Sequence, residues 1–339
     1  MGVVEQSPGT VALPAQRHSH RPGRHCGSSA IRDLLEFHGL TMTEACCFGL
    51  GAGLGITYVE VPGSATPFIV HVRSMGFEEK VFATLGVPFA WEAFAEKDQA
   101  SDALNEALLG GRPALLLTDI YHLPYFNSST HFPGHAIVAW QLDAQRSEVM
   151  VSDTERPGLM PVPVDKLADS RFSTSAPFVH YGNMYAPQHI DAEVSPSSMR
   201  RAIVDNAASL MRGNRHSGLA ALDTWIAELS RWAADPNWRW NLRFAYQVIE
   251  KRGTGGSGFR AMYIEFLEEA REQLPQVRRG GLLEKMRASA AAWSGLAAVL
   301  KAGSEADAFP YSKIEAAIRQ VRIHEQCYAD SALSVFPES

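Results

Sequence analysis

The chain has 339 residues, 46% of them apolar, and carries 31 basic against 37 acidic side chains for a formal net charge of −6. That length and apolar content allow about two domains with substantial cores, and the acidic balance speaks against nucleic acid as a partner. The cysteines at 26, 46, 47 and 327 make no disulfide framework, because two are sequence neighbours, which fits a reducing cytoplasm.

In chain order, residues 1–15 lack a basic segment followed by an apolar core, so they read as a mobile arm rather than a secretory signal, and no run of ~20 apolar residues predicts a membrane span. A helix is expected right after Cys26: Ala30, Ile31, Leu34, Leu35 and His38 share one face, Arg32, Asp33 and Glu36 fall elsewhere, and Gly39 ends it. Thr41-Met42-Thr43-Glu44 fits a capping box with Thr41 as N-cap of a second helix, in which Cys46 and Cys47 are packing residues. The glycines at 49, 51, 53 and 55 read as a flexible turn, since no strand precedes them and no Lys-Ser/Thr follows. Strands are predicted over 56–61 and 68–72 around Pro62-Gly63-Ser64, then a helix over 101–109 and a buried strand over 114–118. Two more strands, 136–140 and 149–152, flank polar turn residues. After Pro187 strand signals stop and six helical stripes follow, over 199–211, 219–232, 238–249, 259–274, 282–300 and 314–328. The expected fold class is α+β, followed by an all-α bundle.

Cys26 is the strongest chemical signal. It lies in His25-Cys26-Gly27-Ser28-Ser29-Ala30 at a helix start, where the macrodipole and unpaired N–H groups favour thiolate over thiol. A thiolate nucleophile needs a base and a group to orient the base. If the 136–140 and 149–152 strands form a hairpin centred near Ala144, His135 and Asp153 are equidistant from the turn and face each other. Cys, His and Asp in that order follow the triad logic of papain-like enzymes. His131 can contact substrate or exchange roles with His135. The four-residue spacing of these histidines is not a zinc pair, because Phe132-Pro133-Gly134 between them makes a loop.

Asp119, Tyr121 and Tyr125 either line the same cleft or serve as a turn residue and part-buried rings. The loop Gly253-Thr254-Gly255-Gly256-Ser257-Gly258, after Lys251-Arg252, either holds a phosphate on backbone N–H groups or simply joins two helices. For an oxyanion the Cys26 amide is one donor; Gln16, His20, Arg24 and His25 are the candidates for a second.

Several segments together resemble the N-terminal domain family named after butirosin biosynthesis protein H. They are His25-Cys26-Gly27-Ser28-Ser29-Ala30-Ile31-Arg32-Asp33-Leu34-Leu35, Phe48-Gly49-Leu50-Gly51-Ala52-Gly53-Leu54-Gly55, Tyr121-His122-Leu123-Pro124-Tyr125, His131-Phe132-Pro133-Gly134-His135-Ala136 and Asp153-Thr154-Glu155-Arg156-Pro157-Gly158. The stretch from Glu250 to Arg260 resembles the helical domain of unknown function that commonly follows.

The resemblance implies a papain-like cysteine peptidase/transferase fold and an acyltransferase that moves an acyl or aminoacyl group from an acyl carrier protein thioester to a small-molecule amine acceptor. On this reading Cys26 is the nucleophile, His135 the base and Asp153 its orienter, with His131, Asp119, Tyr121, Tyr125, Lys251 and Arg252 binding substrate. No metal and no cofactor is expected, phosphopantetheine arriving on the carrier protein. A cysteine peptidase or amidase using the same triad is the alternative, and a non-catalytic binding module a third. The expected organisation is an arm over 1–15, a catalytic domain over 16–190 and a helical bundle over 191–339. An acidic carrier protein needs local cations, for which Arg200-Arg201, Arg212 with Arg215, Lys251-Arg252 and Arg278-Arg279 are the candidates.

Overall fold

The computed structural model describes residues 18–63, 66–175 and 179–337. The expected 1–15 arm and Gln16 lie outside them.

Helix α1 (Cys26–Phe37) buries Ile31, Leu34 and Leu35 completely, each such side chain being worth roughly 1.5–3 kcal/mol. Its polar side is buried as well, contrary to the sequence pattern. The segment before it folds back across the helix, so that Arg32 pairs with Asp33 at 2.7 Å and donates to the Arg21 carbonyl, while His20 Nδ1 meets Asp33 at 2.6 Å. Helix α2 (Glu44–Leu50) starts two residues later than the expected capping box, because Thr43, not Thr41, accepts from the Cys46 amide at 2.9 Å. Glu44 does not reach back to cap this helix; it serves the loop before Cys26.

Strands β1 (Leu54–Glu60) and β2 (Phe68–Arg73) form a separate antiparallel pair. The glycines before and within β1 are packing positions rather than a flexible turn. A Cβ at Gly49 would lie 2.1 Å from the Phe266 ring, and one at Gly55 2.3 Å from the Arg73 carbonyl oxygen. Helix α3 (Phe77–Thr84), which the periodicity did not reveal, starts after Gly76 in a left-handed conformation, φ 64°. Helix α4 (Lys97–Leu109) begins a turn earlier than expected.

The main sheet takes β3 (Ala114–Asp119), β4 (Pro133–Asp143), β5 (Glu148–Ser152), β6 (Met160–Pro163) and, after α5 (Val164–Arg171), the short β7 (Met184–Tyr185). All pairings are antiparallel, in the order β6-β5-β4-β3-β7. Alternation splits β4: Ala136, Val138 and Trp140 join the core containing α1, and Ile137 and Ala139 join a smaller core with Leu104, Leu108 and Leu167 of α4 and α5.

The β4–β5 hairpin exists, but not in the symmetric register. Val138 pairs with Ser152 and Asp143 with Glu148, with an irregularity between Ala139 and Gln141, so continuation would set Glu155, not Asp153, opposite His135. The chain leaves the sheet after Ser152, and it is this departure, not ladder symmetry, that turns Asp153 toward the histidine.

The helical part comprises α6 (Pro196–Met211), α7 (Gly218–Ala227), α8 (Leu229–Ala234), α9 (Trp238–Glu250), α10 (Arg260–Gln273), α11 (Pro275–Arg279), α12 (Leu282–Ser304) and α13 (Tyr311–Val335). The expected 219–232 stripe is two helices, broken at Glu228, and α11 is an addition that Pro275 starts. The molecule is thus α+β, with its sheets in the N-terminal part and helices alone in the C-terminal part. One apolar cluster runs unbroken from α1, α2, β1 and β2 into Phe266, Trp225, Trp232 and Trp293. No helix among the described residues is long and apolar enough to cross a membrane.

Candidate functional site

Helix α1 packs on β4, which brings its first residue to the start of that strand. Cys26 is partly buried, and its thiol interacts with the His135 ring and the Ala136 amide. Burial alone would push the thiol pKa up. The hydrogen bond and charge of His135, then Arg73 and the Ala136 N–H, outweigh it, and the pKa falls below the ordinary thiol value.

His135 Nε2 lies 2.8 and 2.9 Å from the two oxygens of Asp153, which leaves Nδ1 as the ring nitrogen available to sulfur. Burial opposes the imidazolium, but Asp153 and the thiolate more than compensate and raise the pKa from 6.5 to about 10. Asp153 is held below the usual carboxylate range: burial opposes ionisation, and His135, Tyr125 and Thr154 prevail. The Tyr125 hydroxyl donates to Asp153 at 2.7 Å and the Thr154 hydroxyl at 2.9 Å. The Phe126 ring stands edge-on to His135 at 5.2 Å, and the Arg156 guanidinium covers Phe126 and Tyr125. Chemically, the arrangement is suited to stabilise a thiolate beside an imidazolium at a helix N-terminus.

The segment carrying Cys26 is fixed from several sides. His25 is the N-cap of α1, its Nδ1 accepting from the Ser28 amide at 3.1 Å. Burial, with the charges of Arg73, His71 and His135, holds its pKa well below 6.5, so it caps as a neutral ring. Glu44 accepts from the amides of Arg24 and His25 at 2.9 and 2.8 Å and from the Ser28 hydroxyl at 3.2 Å. His20 Nε2 meets the Arg156 carbonyl at 2.7 Å, and the Gly23 amide donates to the Thr154 carbonyl at 2.7 Å. The segment before Cys26 and the Asp153 turn are therefore stitched together.

Of the candidates for a second oxyanion donor, His20 is spent on Asp33 and Arg156, and Arg24 on Glu265 at 2.6 and 2.7 Å; His25 commits Nδ1 to Ser28, and its Nε2 has no hydrogen-bond partner among the described residues. Gln16 is outside the described residues.

His131 and Asp119 form a second, separate pair. Asp119 is fully buried and accepts from the Tyr121 and Phe132 amides, the Ser173 hydroxyl and His131 Nδ1, the last at 2.7 Å. Those bonds hold the 120–132 loop. Tyr121 stacks on His131 at 4.0 Å. Tyr125 belongs to the Asp153 group instead, as a donor to its carboxylate. Donor atoms of Asp119, His122 and His131 lie within 4.8 Å of one another, the grouping among the described residues that could hold a metal ion. The Asp119 oxygens are already bonded, however, so two imidazoles would be the ligands left.

Lys251 and Arg252 follow α9, and the loop after them packs on Arg24: a Cβ at Gly253 would sit 3.4 Å from the Arg24 carbonyl oxygen. Arg252 donates to Gln247 at 2.9 Å and covers Phe244. Two of the loop's amides are spent inside the protein, Gly256 N on Thr254 and Ser257 N on Glu250, which favours the joining role over a phosphate cradle. The loop ends by placing Phe259, φ 70°, against the His25 ring at 5.2 Å and stacked on Phe48.

Glu44 and Arg156 went unread as site residues, the first because it looked like a cap and the second because nothing in its spacing sets it apart from a surface arginine.

Residues 25–154 match the family described as butirosin biosynthesis protein H, N-terminal, and residues 165–332 match a domain of unknown function. The chain carries these two domains in this order, the arrangement its motifs indicate. No curated protein matches it.

Proposed function

We propose that the protein is an acyltransferase of a biosynthetic pathway that works through an acyl-enzyme on Cys26. The observation that carries this is the continuous line from the Cys26 thiol through His135 to Asp153, with Cys26 on the first turn of a helix packed against the strand that presents the histidine. A helix-borne cysteine facing a sheet-borne histidine is the disposition of papain-like enzymes, and the family description, a biosynthesis protein, supports a synthetic rather than a degradative use.

The proposed donor is an acyl carrier protein thioester. Cys26 thiolate adds to the acyl carbonyl, the carbonyl electron pair moves to oxygen, and collapse breaks the donor C–S bond. The departing sulfur takes the proton from His135. The incoming amine then attacks the acyl-enzyme and gives its proton to His135, and collapse releases Cys26 as thiolate. Asp153 keeps the ring in one orientation through both halves, and Tyr125 and Thr154 keep Asp153 in place. Aminolysis rather than hydrolysis requires that water be kept from the acyl-enzyme; the helical part, whose 253–259 loop lies against Arg24 and His25, is the wall suited to this. Lys251 and Arg252 on that wall are the cations proposed to meet the carrier and its phosphodiester, and the cytoplasm is the proposed compartment.

Intact-mass measurement after mixing with acylated carrier proteins, with and without small amines, tests the reading. The expected result is an acyl adduct on Cys26 that an amine discharges as an amide. An adduct that only water discharges favours the amidase alternative, and no adduct with any thioester sinks the proposal.

A further inference from the structure

A buried guanidinium stands at the same helix start, and the steps above leave it unused. Arg73 ends β2, its backbone opposite Leu54 and its side chain only 18% exposed. Nη1 is buried and makes no hydrogen bond among the described residues; it forms only a loose ion pair with Glu78 Oε1 at 3.5 Å. The guanidinium lies 5.7 Å over the Phe77 ring. Both neighbours lead to the first turn of α1, because a Cβ at Gly27 would meet Glu78 Oε1 at 2.9 Å and Phe77 at 3.1 Å. Only glycine leaves that wall open beside Cys26.

Other polar groups at this place also lack hydrogen bonds. His71, two residues earlier and so on the same side of β2, has a buried Nε2 with no hydrogen bond among the described residues. Burial and the charge of Arg73 push its pKa down to about 3, so it adds no second positive charge. The Cys26 and Gly27 amides, first in the helix, have no hydrogen-bond partner among the described residues. A buried donor without an acceptor costs roughly 1–3 kcal/mol, and folded proteins tolerate few. A guanidinium and the head of a helix that lack an acceptor next to a thiolate are suited to an oxygen that becomes negative only during reaction.

We propose that Arg73 is the second oxyanion donor, its Nη1 joining the Cys26 amide on the oxygen that gains the carbonyl electron pair when Cys26 sulfur bonds to the acyl carbon. The inference rests on the acyl-enzyme reading above. It also accounts for the lack of a free donor at His20 and Arg24 and of a positive charge on His25: the positive group comes from β2, across the helix start, rather than from the segment that precedes the nucleophile.

The test separates thiolate supply from oxyanion stabilisation. Iodoacetamide alkylates the sulfur by displacing iodide and forms no oxyanion, whereas p-nitrophenyl acetate and the acetyl thioester of N-acetylcysteamine do. Both reactions are followed by intact mass on the full chain, at a pH above the thiol midpoint of each protein, for the parent, Arg73→Met and Arg73→Lys. Arg73→Met is expected to lose on the order of 10²–10³-fold in acylation with alkylation unchanged, which also shows that it is folded, and Arg73→Lys to regain part of the loss. Equal losses in both reactions, or undiminished acylation, overturn the assignment while leaving the acyl-enzyme intact. A parent that is alkylated at Cys26 but acylated by neither ester overturns the acyl-enzyme reading and the role of Arg73 with it.

Discussion

Two histidines four residues apart each pair with an aspartate, and the distances barely differ: His135 Nε2 to Asp153 at 2.8 Å, His131 Nδ1 to Asp119 at 2.7 Å. Their surroundings differ greatly. The His135 side chain is 8% exposed and that of His131 42%, while both aspartates are buried. Asp119 spends its other bonds on two amides of the 120–132 loop and on the Ser173 hydroxyl, so it is an anchor that also holds a histidine. Asp153 spends its on two side-chain hydroxyls, so all that surrounds it serves the histidine. The free nitrogen of His135 then meets a thiol. A pair acts as a base when the histidine's second nitrogen has a reacting partner out of water, and no hydrogen-bond length reveals that.

The comparison breaks most readily at the histidines. His135→Ala should abolish acyl transfer, a loss of at least roughly 10²–10⁴-fold, whereas His131→Ala should reduce it only mildly. Rates with one thioester donor and one amine check this. Severe loss at 131 with little at 135 would reverse the roles.

The aspartates should separate next. Asp153→Asn keeps shape but disturbs the tautomer, so a residual rate is expected with little loss of stability. Asp119→Asn breaks a buried set of bonds and should destabilise the fold by about 1–3 kcal/mol, seen as a lower denaturation midpoint, with a smaller change in rate. If Asp119→Asn cost activity without stability, its loop would be part of the chemistry.

The pH dependence of Cys26 alkylation tests the buried pair alone. With the thiol pKa lowered, thiolate persists below the ordinary thiol range, and the rate falls only as pH drops through the lowered value. Without His135 the main support is gone and burial remains, so His135→Ala should move the midpoint upward, above the parent's, while His131→Ala leaves it in place. Cys46, pushed up to about 12 by burial, and Cys47, raised well above the ordinary thiol value by the same cause, should stay unlabelled near neutral pH. An unmoved midpoint in His135→Ala would mean that the helix end and Arg73 alone hold the thiolate.

The smallest expected effect is at the outer wall. Exposed charges each contribute only ~0.2–1 kcal/mol. Reversing Lys251 and Arg252 to Glu should therefore raise the apparent KM for a carrier-bound donor and flatten its salt dependence, with a small thioester used as before. Unchanged carrier kinetics would take this loop out of the docking surface.

By itself the sequence determined what depends on local order. The apolar face of α1 and the residues around Cys26 declare a helix that starts at the cysteine, and the paired apolar runs around Asp143 declare a hairpin, because helical and strand periodicities are properties of neighbours along the chain. It also set Cys46 and Cys47 in the core, where they are buried. What it misjudged is where tertiary bonds outcompete local ones. Glu44 reads as half of a capping box, yet two amides before α1 and the Ser28 hydroxyl in its first turn claim it; Arg32 and Asp33 read as solvent-facing, yet His20 and the Arg21 carbonyl bury them. Symmetry about the turn pointed to Asp153, but the strands are paired in another register, and the carboxylate reaches His135 only because the chain turns out of the sheet there. Arg73 had no local sign at all. Its position beside Cys26 exists only once β2 and α3 close over the first turn of α1, since a donor 47 residues away in sequence is brought near by packing and by nothing in its own neighbourhood.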